Sequence, residues 1–384
     1  MPDNGIRLEL RIGRPTTPVP APYEVIDALV DLEVTQQDRN RSGFQMTFSL
    51  GRELRNYSDY WLLREGILNP PNRVIITVII GVLVGNNRPI QRKILIDGVI
   101  TNHQVVPSNQ PGESRLIVTG EDISLMLDLK EKSTTYENQS DSNIVKQLLQ
   151  NYSEYWLTTD VQNSEYTPTK EKRITTQQGT DLDFIQKLAQ QNSFIFEIKP
   201  SNVPGKNIAY WGEEKRSITP FQPALSMNMG AFTNVDSSIT FNFNALKPTE
   251  PQMEIVDDTS GQQIPVQIPT SLSQPLASEP AKPLRQTILR CSDKLDPIPA
   301  KLRAESELSR SREDAVTASG EVDTVRYGHV LQVRQLVGVR GVGKSYGGYY
   351  YVKQVTHRIK RGEYKQSFTL IREGRGATTQ RVEV

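Results

Sequence analysis

The stretch GYYYVKQVTHRIKRGEYKQSFTLIR, residues 348–372, decides the fold class. Aromatic and β-branched residues dominate it, and it breaks once, at Lys360-Arg361-Gly362-Glu363. Gly362 is free to take positive φ there, so the stretch reads as two strands joined by a tight turn. In the second strand Tyr364, Phe368 and Leu370 share one face, while Lys365, Ser367 and Thr369 share the other. That alternation belongs to a sheet with one wet side.

The same signals run through the first third of the chain. Leu8 and Leu10 flank Glu9, and a loop with Pro15, Pro18, Pro20 and Pro22 follows. Further strands are predicted at 29–34, 45–50, from Val74 through Val84, 93–106 and 115–119, with Gly, Asn and Pro clusters between them. Several short strands separated by turns predict a small barrel or sandwich. Helical spacing then takes over. After Ser140-Asp141-Ser142, apolar residues recur at Ile144, Val145, Leu148, Leu149 and Tyr152. A second helix opens at Thr180-Asp181-Leu182-Asp183, where Thr180 can cap the first turn and Asp183 meets free amides. Leu182, Ile185, Leu188 and Ala189 form its buried stripe. A hairpin of 194–198 with 208–211 closes this α+β unit.

Seven prolines between 247 and 283, with scant apolar periodicity, predict a linker or extended arm. A polar helix is expected at 299–315, then strands at 322–337, 348–359 and 364–371. The domain expectation is a first barrel at 1–127, an α+β insertion at 128–215 and return strands at 216–246. An arm follows at 247–285, a second barrel with the polar helix at 286–375, and a tail at 376–384.

Composition narrows the function classes. The 384 residues carry 45 Lys+Arg against 44 Asp+Glu, a net charge of +1, without the basic excess of a nucleic-acid binder. One cysteine, Cys291, excludes an internal disulfide framework, and His103, His329 and His357 have no metal-ligand spacing. Neither a cofactor nor a metal is expected. The apolar run from Val74 is too short to span a membrane, and Met1-Pro2-Asp3-Asn4 lacks signal-peptide character.

Two motifs suggest chemistry. Residues 338–345, GVRGVGKS, satisfy the phosphate-loop pattern, but the motif needs a helix after it and here Tyr346-Gly347-Gly348-Tyr349-Tyr350-Tyr351 predicts a strand. Residues 343–347, GKSYG, match a nucleophile elbow, yet again a strand follows, and no acid lies between Ser345 and His357. A Gly-rich hairpin loop is the expectation for both. Asp181 with Asp183, and Glu213 with Glu214, read as solvated charges. Trp156, Trp211 and Tyr349–Tyr351 read as core or subunit packing, Cys291 as a small buried residue, and His357 as a hydrogen-bonded structural histidine. No catalytic residue is expected.

Three stretches together resemble one family. They are ILIDGVI at 94–100 with VTGED at 118–122; QQGTDLDFIQKLA at 177–189; and the closing hairpin at 348–372. In that order they resemble the late control gene D/VgrG-like baseplate hub proteins of contractile phage tails and injection systems. The residues carrying the resemblance are Asp97, Gly98, Asp181, Phe184, Leu188, Gly348, Tyr350, Val352, His357 and Tyr364. It implies a mainly β fold: two similar tube-like β-barrels, a smaller helix-containing α+β insertion and a Pro-rich extended arm. It further implies a non-enzymatic structural subunit that forms a homotrimer, a pseudo-hexameric ring adapting a hexameric tail tube to a trimeric spike. The implied partners are the tail tube protein, a separate spike chain, and baseplate and sheath-associated proteins, with no nucleic-acid specificity. The implied location is the baseplate of a virion or injection particle assembled in the cytoplasm. The competing expectation is a β-barrel carbohydrate- or receptor-binding module using exposed aromatics.

Overall fold

The computed structural model describes residues 5–51, 59–81, 90–155, 157–164, 166–171, 173–216, 219, 222–236, 238–256, 262–268, 275–289 and 297–379. Trp156 and Cys291 lie outside these residues, as do Leu83 and Val84 of the Val74 run.

The first β unit comprises β1 (Ile6–Arg14), β2 (Thr17–Pro20), β3 (Leu29–Gln37), β4 (Gly43–Ser49), β5 (Arg73–Gly81), β6 (Ile90–Val106) and β7 (Arg115–Asp122). Two short helices interrupt it, α1 (Tyr23–Ala28) in the Pro-rich loop and α2 (Trp61–Arg64). Alternation decides which side chains go inward. Leu8, Leu10 and Ile12 of β1 meet Leu32 and Val34 of β3 and Phe44, Met46 and Phe48 of β4 in one core. Val74, Ile76, Val78 and Ile80 of β5 join them. Strands whose inner faces all meet in one core must wrap around it.

The insertion holds β8 (Glu131–Tyr136), α3 (Asp141–Gln150), β9 (Leu157–Val161), β10 (Thr175–Thr180), α4 (Asp181–Gln191), β11 (Ile195–Pro200) and β12 (Asn207–Gly212). Both helices start where the capping residues predict. Ser140 accepts from the Asn143 amide at 3.3 Å, and Thr180 from the Asp183 amide at 3.2 Å. Their apolar stripes pack together with Trp211 in a separate core.

The chain returns through β13 (Leu225–Ser226) and β14 (Thr240–Phe243), then enters the Pro-rich region. That region differs from a bare arm. β15 (Thr249–Val256) pairs with β16 (Gln263–Pro265), and β17 (Ala277–Pro280) is followed by β18 (Arg285–Leu289), which lies parallel to β15. Met253 is buried against Ala300 and Ala304 of α5 (Pro297–Glu313). Prolines are tolerated because these are small sheets made largely of edge strands.

The last unit is β19 (Val316–Asp323), α6 (Thr324–Tyr327), β20 (Leu336–Arg340), β21 (Gly348–Lys360), β22 (Glu363–Arg372) and β23 (Gly374–Ala377). The strand expected at 322–337 is broken. The Asp323 carboxylate caps α6 by accepting from the Arg326 amide at 3.0 Å, and Gly328, at φ 73°, terminates that helix. Part of the expected tail is β23, which pairs with β17.

Strands from both ends of the chain share one thirteen-stranded sheet, in the order β14-β19-β22-β21-β3-β4-β7-β6-β5-β1-β2, with β13 and β20 attached through β21. The seam is β21 on β3, antiparallel from Gln354↔Gln37 to Lys360↔Asp31. A second core of Val316, Ala318, Val337, Tyr350, Val352, Val355 and Leu370 lies beyond the seam. The molecule is mainly β, with an α+β insertion, as the sequence predicts.

Candidate functional site

The residues singled out by sequence do not converge on a reaction centre. They hold junctions. On β6, Asp97 is clamped by Arg73 of β5, Nε to Oδ1 and the second terminal nitrogen to Oδ2, each at 2.7 Å. Arg73 also donates to the carbonyls of Pro15 at 3.0 Å, Gly205 at 3.2 Å and Tyr155 at 3.4 Å. Asn207 of β12 donates to Asp97 at 3.0 Å. A buried bidentate pair therefore fastens the insertion to the first β unit. Next to it, a Cβ on Gly98 would overlap the Glu121 carbonyl, and one on Gly120 would overlap the Val99 carbonyl and the Phe44 ring. The glycines in DGVI and VTGED thus let β6 and β7 pair beneath that ring.

Asp181 is not solvated. It is fully buried and accepts from Lys132 at 2.6 Å, the Tyr152 hydroxyl at 2.6 Å and Gln177 at 2.7 Å. Burial, and then the Asp181 carboxylate, push the Tyr152 hydroxyl well above its usual range. Phe184, stacked on Tyr136 with centroids 5.9 Å apart, and Leu188 lie in the insertion core.

His357 of β21 is fully buried. Gln36 donates to the Leu95 carbonyl at 2.6 Å, which leaves its Oε1 to accept from His357 Nε2 at 3.0 Å. Nδ1 then accepts from the Tyr364 hydroxyl at 2.8 Å. This fixes the neutral tautomer with the proton on Nε2, and burial pulls the ring down to about 3. His329, facing Gln91 at 3.1 Å, is drawn down to about 4 by burial and by Lys93. Among the described residues no cluster of three His, Cys, Asp or Glu could hold a metal ion.

Residues 338–345 form the end of β20 and the turn into β21. Arg372 donates to the Ser345 carbonyl at 3.1 Å and the Gly347 carbonyl at 2.9 Å. Carbonyls aimed at a guanidinium are the reverse of amides aimed at a phosphate, and a strand, not a helix, follows. Gly348, at φ 116°, lets β21 begin against Arg372 and Ala377. Tyr350 donates to the Tyr346 carbonyl at 2.8 Å, with the Arg372 guanidinium 4.3 Å from its ring centre, and Val352 packs in the second core. Trp211, Tyr350 and Tyr351 are buried, so none offers a stacking surface.

One junction has no signature in the sequence. Arg39 from the β3–β4 loop meets Glu313 of α5 at 2.6 Å; Arg216 meets Glu313 at 2.9 Å and Glu214 at 3.0 Å. Glu214 therefore is not solvated either. Burial pulls its carboxyl up, but Arg216 and Arg39 prevail and hold it below the usual range. A cavity of about 620 Å³ lies beside this cluster, bordered by Arg310 and Tyr349.

The ends of the large sheet differ. Ala21 donates to Leu10, and Ile12 and Arg14 oppose Val19 and Thr17. The outward amide positions of β2 therefore fall on Pro18 and Pro20, which have no N–H to offer another strand. At the other end Asn244 donates to Ala315, with Asn242 opposite Thr317, so the backbone groups of Phe241 and Phe243 face away from β19. Phe232 (69% exposed), Phe243 and Leu246 (50% exposed) lie on this return segment.

Comparison with known proteins supplies fold likeness. A family described as the Alg8 N-terminal domain matches residues 77–228, less than half of the chain. No curated protein matches. Among solved structures, the tail protein from Neisseria meningitidis MC58 is similar with a TM-score of 0.60 at 11% identity, over 97% of this chain and 98% of that one. The 43 kDa tail protein of prophage MuSo2 from Shewanella oneidensis is similar with a TM-score of 0.60 at 13% identity, over 96% and 98%. A chain of the lidded PdpA-VgrG complex from Francisella is similar with a TM-score of 0.59 at 12% identity, over 97% of this chain and 54% of that one. The likeness is one of fold, and it runs almost end to end.

Proposed function

We propose that this chain is a structural baseplate hub subunit of a contractile tail or contractile injection system. In this reading three copies form a ring that joins a hexameric tail tube to a trimeric spike. Residues 1–127 and 286–375 act as the two tube-like units, 128–215 as the insertion between them, and 216–246 as the return strands. The 247–285 segment braces the second unit.

The observation that carries the reading is the β21–β3 seam, which sets two separate cores side by side behind one sheet. A chain built as two such units, present three times, offers six units to a sixfold tube while keeping threefold symmetry for a spike. Fold likeness to two tail proteins over nearly their whole lengths supports the same reading. In this reading the role is non-enzymatic, supported by Asp97, Asp181 and His357 each being held by partners within the fold.

The test is sedimentation of the purified chain with and without its tube protein. The reading predicts a species of about 130 kDa, three times the 43.3 kDa chain, that binds the tube end. A monomer that ignores the tube and instead binds glycans saturably would favour the carbohydrate-binding module.

A further inference from the structure

Helix α5 turns one face toward the insertion. Leu302, Glu305, Ser306, Ser309, Arg310 and Glu313 recur at helical spacing and line the cavity of about 620 Å³. Across from them stand Asn192, Ser193 and Phe194, from the end of α4 and the turn into β11, while Leu276 and Tyr349 close another side. Glu305, Ser306 and Glu313 are buried, and Phe194, Leu302 and Tyr349 are half-buried. Buried polar groups beside partly covered apolar side chains are the composition of a ligand site.

Three arginines share this wall, and one is left over. Arg39 meets Glu313 at 2.6 Å, and Arg216 meets Glu313 at 2.9 Å and Glu214 at 3.0 Å. Of the remaining acids, Glu305 has Lys301 at 3.8 Å and Glu213 is exposed. Arg310 is half-buried and also lines a smaller cavity of about 280 Å³ beside α4. Among the described residues it makes no hydrogen bond and no ion pair. Burial, and then the Arg39 charge beside it, draw its guanidinium below the usual range, although Glu307, Glu313 and Glu214 attract it from further off.

We propose that this cavity binds a carboxylate-bearing guest, its acid group held by the Arg310 guanidinium and its apolar part laid against Phe194, Leu302 and Tyr349. A guanidinium fork offers two parallel donors that match a carboxylate. A single negative charge suits the place, because Glu214 and Glu313 repel a more highly charged anion such as phosphate. The amides and hydroxyls of Asn192, Ser306 and Ser309 suit polar atoms of the guest. Every wall belongs to one chain, so the inference does not depend on the ring.

The test uses the purified full chain and ligand-observed NMR titration with three probes. Acetyl-Leu-Asp-Leu-amide and acetyl-Leu-Asn-Leu-amide differ by one charge, and hexanoate is a free small acid with an apolar tail. The aspartyl peptide or hexanoate should bind saturably, with the asparaginyl peptide at least ~10-fold weaker than the aspartyl one, and Arg310→Gln should erase that difference. Tighter binding of the aspartyl peptide assigns the guest to a partner polypeptide; tighter binding of hexanoate assigns it to a free small acid. Equal binding of the two peptides, or no binding of either acid up to about 10 mM, refutes the site. Unfolding in urea supplies a second readout. Arg310→Gln should leave the midpoint unchanged or raise it, because the free chain loses a charge that has no counterpart. A lowered midpoint would make Arg310 a structural residue and overturn the proposal.

Discussion

Replacing Arg73 with methionine tests whether the Asp97 junction fastens the insertion to the sheet. Methionine keeps most of the volume but removes every donor, so the Pro15, Tyr155 and Gly205 carbonyls and both Asp97 oxygens lose the Arg73 hydrogen bonds. Only Asn207 still serves the buried carboxylate. Breaking a buried pair from one side costs about 3–5 kcal/mol, because the remaining charge is left uncompensated. Set against a typical domain stability of about 5–15 kcal/mol, that is a large fraction. The loss should be local first, since the Tyr155, Gly205 and Asn207 contacts all reach into the insertion. Urea unfolding followed by tryptophan fluorescence reads the total. Hydrogen exchange reads the place: amides around 153–155 and 201–207 should lose protection before those of β3 and β21. Adding Asp97→Leu to Arg73→Met should recover part of the loss, because an apolar pair of similar size removes the stranded charge. A change below about 1 kcal/mol, or exchange that rises evenly over the chain, would refute the fastening role.

Other expectations follow from the same geometry. His357 stays neutral in the fold down to about 3, whereas an unfolded histidine titrates near ~6.5, so the unfolded chain binds the proton first as pH falls. Its contribution is complete above pH ~6.5 and shrinks toward pH 3, by about 3 kcal/mol between pH 7 and 4; His357→Gln should flatten that part of a stability–pH profile. Gly120→Ala should cost about 1–3 kcal/mol in urea unfolding, because the added carbon overlaps the Val99 carbonyl, which cannot move without breaking the β6–β7 ladder. Phe232→Asp with Leu246→Asp alters exposed side chains, so monomer stability should stay within about 0.5 kcal/mol while ring assembly, read by sedimentation, weakens. Titration with ATP and magnesium should show no saturable binding, and Lys344→Ala should change nothing.

Local rules made much of this fold legible. The 348–372 hairpin, the cap at Thr180 and the two apolar stripes of the insertion each depend on residues within a few positions of one another. Where local rules competed, the sequence misled: Asp323 sits in a stretch of strand-formers, yet its carboxylate starts a helical turn. Proline count misread the arm, because Pro265 and Pro280 lie on edge strands of small sheets and Pro251 sits where β15 pairs on one side only. The charged junctions were the least legible. Asp181 read as a solvated charge, and only the fold brings Lys132 and Tyr152 onto it. Arg39 and Glu313 stand 274 residues apart, and nothing near either one marks it as half of a pair. The signature Asp97-Gly98 was visible as a resemblance, but its role emerges only with Arg73 and Asn207 in place.

End-on particle averages of the assembled protein, taken with a native mass on the same sample, test the central idea most directly. The account predicts six lobes around an open centre from a particle that weighs as three chains. Six lobes from six chains, or a single-chain particle with no opening, would contradict it.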